Sequence, residues 1–168
     1  MERAATQADA SFKANIEMSR NDQRAWIGVS AVDGLPKLNE PSLIAIRFKN
    51  TGRSPAQNVH VLSRYLPTPK GSEFKFDLEE VPEQSNGLIP PGAEFSAFAF
   101  PGPNPTAKLK KTDMDAATNG SYVVHVIAKA TYDDAFGRPH WVTFCAQLAT
   151  DAKSWKACSD YNDADKPN

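Results

Sequence analysis

Ser121-Tyr122-Val123-Val124-His125-Val126-Ile127-Ala128-Lys129-Ala130-Thr131-Tyr132 is followed by Asp133-Asp134-Ala135-Phe136-Gly137 and, two residues later, by His140-Trp141-Val142-Thr143-Phe144-Cys145-Ala146-Gln147-Leu148. Successive side chains of a strand point to opposite faces. In the first segment Tyr122, Val124, Val126, Ala128, Ala130 and Tyr132 therefore share one face. In the second, Val142, Phe144, Ala146 and Leu148 alternate with Trp141, Thr143, Cys145 and Gln147. The aspartates and glycine between them are turn residues. The stretch predicts an antiparallel hairpin with one apolar face.

Working outward, the same period-two pattern recurs. Residues 25–32 read as a strand stopped by Asp33-Gly34. Residues 42–49 are the next, with Ile44, Ile46 and Phe48 on one face, and Asn50-Thr51-Gly52 turns the chain. Residues 57–66 form a third, with Val59 and Val61 inward, ended by Pro67 and Pro69 because proline cannot donate to a ladder. Residues 74–78 suggest a short edge strand, and 79–92 a long connection closing with Pro90-Pro91-Gly92. Residues 93–100 are a fourth clear strand, broken by Pro101-Gly102-Pro103-Asn104-Pro105. A short helix is expected over 106–117, capped by Asn119-Gly120. A last short strand is expected near 155–161, and the polar tail over 163–168 is expected to be disordered.

Residues 1–22 differ. They contain no glycine or proline, and Ala5, Ala8, Phe12 and Ile16 recur at three- and four-residue steps, a thin helical stripe. They read as a helical stalk or a flexible segment. Residues 23–162 then form one all-β domain, an antiparallel β-sandwich of about seven strands, with the N-terminal helix and one short helix before the closing hairpin.

The 168 residues carry 19 basic and 20 acidic side chains. That balance argues against a nucleic-acid module and gives no electrostatic case for acidic lipids. Thirteen prolines and nine glycines suit short strands joined by turns. No apolar run approaches the ~20 residues of a membrane span, and the first residues lack the apolar centre of a signal peptide. Taken alone, the chain reads as soluble and cytosolic, or as a piece of a longer protein.

Two segments carry a resemblance. Ile46-Arg47-Phe48-Lys49-Asn50-Thr51-Gly52-Arg53-Ser54-Pro55-Ala56-Gln57-Asn58-Val59 resembles the strand-turn-strand of bacterial immunoglobulin-like domains in adhesion and cell-surface proteins. Tyr132-Asp133-Asp134-Ala135-Phe136-Gly137-Arg138-Pro139-His140-Trp141-Val142-Thr143-Phe144-Cys145 resembles the closing hairpin of uncharacterised bacterial single-span membrane proteins with one extracytoplasmic sandwich. In those proteins an alanine-rich stalk links the span to a segment like Arg24-Ala25-Trp26-Ile27-Gly28-Val29. The resemblance covers most of residues 20–162. It implies an immunoglobulin-like fold and a periplasmic or extracytoplasmic domain anchored to the inner membrane through an upstream span absent from this chain. It carries no activity, so no catalytic residue is transferred.

Cys145 and Cys158 are the two cysteines. In the compartment the resemblance implies, a disulfide between them is favoured. Alternation turns Cys145 away from the Val142/Phe144 face. A catalytic Cys145 with His125 or His140 lacks any supporting signature.

His60, His125 and His140 lack metal-ligand spacing, so no metal or cofactor is expected. His125 reads as a half-buried sheet residue, and His140 as a partner of Asp133 or Asp134. The two aspartates, adjacent on the chain, point to opposite sides and are expected to bond their own turn. Asp160, Asn162, Asp163 and Asp165 faintly suggest calcium but lack a loop glycine and a terminal glutamate. Lys108, Lys110 and Lys111 read as a solvated helix side, and Arg53 and Arg64 as surface residues. Asn119-Gly120-Ser121 matches a glycosylation acceptor, which carries no weight in a bacterial protein. Trp26, Phe98, Phe100, Trp141 and Trp155 cannot all face inward by alternation. Outward Trp141 beside Thr143 is either a contact anchor or is covered by the segment around Trp155.

The expected function is a non-catalytic extracytoplasmic binding or assembly domain with a protein partner, using Trp141, Thr143, His140 and Asp134. Its rivals are a small hydrolase built on His140 with Asp133 and Asp134, and a structural subunit of an envelope complex.

Overall fold

The computed structural model describes residues 2–37, 44–101, 110–149 and 153–165, with the side chains of 2–5 and 114 set aside. Helix α1 (Glu2–Gln23) leads into β1 (Ile27–Asp33), β2 (Ile44–Asn50), β3 (Ala56–Pro69), β4 (Gln84–Ile89) and β5 (Glu94–Ala99). Helix α2 (Lys111–Thr118), β6 (Tyr122–Asp133), β7 (Pro139–Leu148) and β8 (Trp155–Ala157) complete the chain. The strands form two antiparallel sheets, in the orders β1-β2-β5 and β4-β3-β6-β7-β8. None of the helices, among the described residues, is long and apolar enough to cross a membrane.

The alternating residues meet in one core. Ile44, Ile46 and Phe48 of β2 and Ala97 and Ala99 of β5 join Val59 and Val61 of β3 and Val124, Val126, Ala128 and Ala130 of β6. Each buried aliphatic side chain as large as valine stabilises the fold by roughly 1.5–3 kcal/mol. The hairpin register, Ala128 opposite Phe144, puts the two apolar faces on the same side. The Asn-Thr-Gly turn is fixed from within. The buried Asn50 side chain accepts from the Trp26 and Gly52 N–H groups at 3.2 and 3.0 Å and donates to the Ser54 and Ile89 carbonyls at 2.8 and 3.0 Å. Gly52 must be glycine, since a Cβ there would strike the backbone of Arg24, Ala25 and Trp26.

Several expectations need correcting. The prolines do not stop the third strand at residue 66: it runs through Pro67 and ends at Pro69. The reason is parity. The Tyr65 N–H points away from β6, donating to the Phe100 carbonyl at 2.9 Å. Pro67 and Pro69 share that parity, so their missing N–H groups lie on the side away from β6 and the ladder is intact. Residues 74–78 form no strand. The stretch 79–92, read as a connection, contains β4, which pairs with the first half of β3. Eight strands result among the described residues. The tail is not frayed as far as Asp165: the Thr143 N–H donates to the Asp163 carbonyl at 2.8 Å, and the Asp165 N–H to the Trp141 carbonyl at 3.2 Å. Residues 42–43 of the second expected strand, 102–105 of the proline break and 106–109 of the expected helix lie outside the described residues.

At the His125 end, the five-stranded sheet is covered on its outer face too. His125, Ile127 and Cys145 point away from the shared core yet are buried. The connection after β3 brings Phe74 onto His125, and the chain after β8 returns across β7, held there by the disulfide. At the far end α1 stands clear of the sheets. Residues 6–15 are exposed, Phe12 at 67%. The helix meets the hairpin where the Arg138 guanidinium donates to both Glu17 oxygens at 2.7 and 2.8 Å.

Candidate binding surface around Trp141

The site grows from the turn between β6 and β7. The Asp134 Oδ1 atom accepts from the N–H groups of Phe136 and Arg138 at 2.8 and 3.0 Å, an aspartate closing its own turn. Its Oδ2 faces His140 Nε2 at 3.0 Å. The other ring nitrogen, Nδ1, faces Asp165 Oδ2 at 2.7 Å. Asp165 also receives the Arg24 guanidinium at 3.2 Å. Arg24 is buried and lies over the Trp26 ring, 3.4 Å from its centroid. The Tyr132 hydroxyl donates to the Ala25 carbonyl and accepts from the Ile27 N–H, both at 3.4 Å. One polar network thus joins the entry to β1, the hairpin turn and the C-terminal tail.

Electrostatics follow from this packing. Burial pushes the Asp134 carboxyl upward, but the Arg138 N–H, the His140 ring and the Phe136 N–H together hold it below the ordinary aspartate value. Burial raises Tyr132. Hydrogen bonding from Arg138 holds Glu17 low.

The sequence-predicted residues separate into two groups. His140 and Asp134 do meet, both buried. Asp133 turns elsewhere, its Oδ2 accepting from the Asn58 amide at 2.8 Å. Thr143 is taken by the tail, its hydroxyl 3.3 Å from the Asp163 carbonyl. Trp141 remains 36% exposed, and the segment around Trp155 does not cover it. The Trp155 indole N–H donates instead to the Gly34 carbonyl at 2.9 Å, across a groove of about 780 Å³ between β1 and β8. Trp141 walls a shallow depression of about 470 Å³ with Asn58 and His60 of β3 and Lys129 and Thr131 of β6. Asn58 sits at a β3 irregularity with φ of 49°, a strained backbone held by its bond to Asp133.

Cys145 and Cys158 are disulfide-bonded, with Cα atoms 5.4 Å apart. The Asn162 amide reinforces the staple, accepting from the Cys145 N–H at 3.1 Å and donating to the Cys145 and Cys158 carbonyls at 3.1 and 3.0 Å. Asn162 and Asp165, two of the four residues weighed for calcium, are thereby engaged by protein groups. Among the described residues no cluster of three or more ligand-type side chains could hold a metal ion. Arg53 is exposed and pairs with Asp22 at 2.6 Å. Arg64 is not a free surface residue. Its side chain is 17% exposed and faces Asp77 at 3.3 Å. Asn119 is a helix cap whose Oδ1 accepts from the Ser121 N–H at 2.9 Å. Lys108 lies outside the described residues.

Sequence reasoning missed Arg24 and Asp165 as members of the network. Their separation of 141 positions leaves no local signal. Comparison with protein-family models, curated proteins and solved structures finds no match to this chain.

Proposed function

We propose that the chain is an immunoglobulin-like sandwich acting outside the cytoplasm as a non-catalytic binding or assembly domain. The observation that carries this is the contrast around Trp141. The titratable groups beside it, His140, Asp134, Asp165 and Arg24, are bonded to one another, while the indole itself stays exposed over a polar-rimmed depression. A part-exposed tryptophan on a rigid strand is a contact anchor of low entropic cost. The Cys145–Cys158 disulfide supports an oxidising compartment. The resemblance to single-span envelope proteins adds a membrane anchor upstream of α1, with α1 as the stalk. A protein partner is the expected ligand, and the open edge of β1 offers it a second route by strand addition.

The hydrolase reading draws less support. A catalytic histidine needs a ring nitrogen free to meet substrate, and both nitrogens of His140 already face carboxylates. The test places a photocrosslinking residue at Thr131, beside Trp141, in the living source cell. A discrete protein adduct that disappears with Trp141→Ala, at unchanged thermal stability, is the expected result. Absence of any adduct, together with an esterase activity lost in His140→Gln, would overturn the proposal.

A further inference from the structure

The two sheets are unequal, three strands against five. β1 is an edge strand of the smaller sheet and packs against β7, while β8 lies beyond β7 in the larger sheet. The inner face of β7 and β8 is therefore incompletely covered. Val142, Phe144 and Leu148 of β7 and Trp155 of β8 pack against the core and are only partly buried. Two depressions of about 780 and 620 Å³ meet at Val29, Phe144 and Ala157 and make one groove along β1. Val142, Phe144 and Ala146 form its floor, β1 is one wall, and β8 with tail residues 162–164 is the other.

The β1 wall offers backbone as well as apolar surface. The Asn50 N–H donates to the Ala93 carbonyl at 3.0 Å and the Asn50 carbonyl accepts from the Gly92 N–H at 2.8 Å, so Asn50 turns its backbone groups away from β1. Phe48 and Ile46 share that parity on β2 and turn theirs toward β5. Their partners on β1, Val29 and Val32, face away from β2 in turn, with the register shift at Ser30 between them. Both residues line the groove. An unpaired edge of this kind is a template for another strand. The apolar floor asks of that strand an apolar side chain at every second residue. A second copy's sheet does not fit, because β8 and the tail stand beyond β1 and would meet that sheet first. A single extended segment fits. The ends of the groove set its polarity: Lys37 and Lys153 line the end beside Asp33, and Asp163 the end beside Trp26. In the antiparallel sense of the existing sheet, the segment begins by the lysines and finishes by Asp163.

We propose that the β1 groove takes an extended peptide segment of a protein partner, antiparallel to β1, apolar at alternate residues, acidic at its N-terminal end and basic at its C-terminal end. The inference rests on the reading of the chain as a binding domain and names what its β1 edge takes. The probe is acetyl-Glu-Val-Thr-Val-Thr-Val-Lys-amide, titrated into the ¹⁵N-labelled intact chain and followed by NMR. Saturable shifts in the millimolar range at the Val29, Val32 and Phe144 amides are the expected result. Residues directly opposite in an antiparallel pair put their side chains on the same face, so the peptide valines over Phe144 are also the residues that bond β1. N-methylation of the valines should abolish the shifts, and N-methylation of the threonines should leave them. Asp163→Asn keeps an acceptor for the Ala164 N–H and should weaken binding about threefold, the worth of an exposed ion pair. Val32→Pro removes one outward N–H at a parity that an edge strand tolerates and should abolish binding. The methylated peptides leave the protein unaltered and decide the matter if that variant misfolds. No saturable shift, equal binding by both methylated peptides, or a concentration-dependent dimer that shields Val29 and Val32 would overturn the proposal. Failure here with the Thr131 adduct retained removes the β1 seat alone, whereas loss of both removes the binding-domain reading.

Discussion

His125 shows how one side chain reports its covering. On an uncovered strand it would titrate near the ordinary value of about 6.5. Under Phe74 and the disulfide-held segment its value is lowered, because burial disfavours the charged ring. The folded protein therefore binds the proton less readily than the unfolded chain does. Stability contributed by this residue is complete above about pH 6.5 and is lost as pH falls below it. Urea midpoints of the wild type should drop between pH 7.5 and 5.5, and His125→Phe should drop less. Equal slopes would show that the burial is not maintained in solution. His140 is the contrasting case. It is as buried as His125, but each ring nitrogen faces a carboxylate oxygen, Asp134 at 3.0 Å and Asp165 at 2.7 Å. It acts as a joint between elements, whereas His125 has one nitrogen left over.

Among the elements, β3 is the most instructive. It passes two prolines because both fall on the parity that points away from β6, as the Tyr65–Phe100 hydrogen bond shows. The neighbouring Leu66, paired with His125, has the opposite parity. Leu66→Pro should remove a ladder hydrogen bond and lower the melting temperature sharply, whereas Pro67→Ala should leave it nearly unchanged. Thermal unfolding of the two variants checks the register directly, and equal effects would contradict it. Helix α1 makes a different point. Its alanine stripe is too thin to bury, and the helix projects with residues 6–15 exposed. Its tie to the body is polar, the two-pronged Arg138–Glu17 pair, with Arg20 lying 5.7 Å from the Phe136 ring centroid. These contacts hold the helix to the body near its C-terminal end.

At the scale of the whole molecule, the disulfide organises the second layer. It closes a span of 13 residues, which in the loop-entropy account is worth ~3 kcal/mol. Cys145→Ala with Cys158→Ala should lower unfolding free energy by about that amount. Hydrogen exchange should rise at Thr143 and Asp165, whose N–H groups bond across the tail, while Val126 in the shared core stays protected. Uniform loosening would mean that the tail is not a separate layer. This layering also marks what could be read in advance. Alternation around Val124, Ile46 and Val59 identified both core faces, because a buried face must be apolar at every second residue and that constraint is written locally. The turns at Asn50-Thr51-Gly52 and Asp133-Gly137, and the self-bonded Asp134, were legible for the same reason. β4 was not, since Gln84-Ser85-Asn86-Gly87-Leu88-Ile89 lies at an edge and buries little but Ile89. Nor was the ordered tail, whose polar residues look solvated until Arg24 and His140 stand beside Asp165. Local periodicity thus settled the strands that build the shared core and which way their side chains face. Folding alone decided what covers the outer face, because contacts between residues 24 and 165, or 74 and 125, depend on three-dimensional closure that no short stretch of chain encodes.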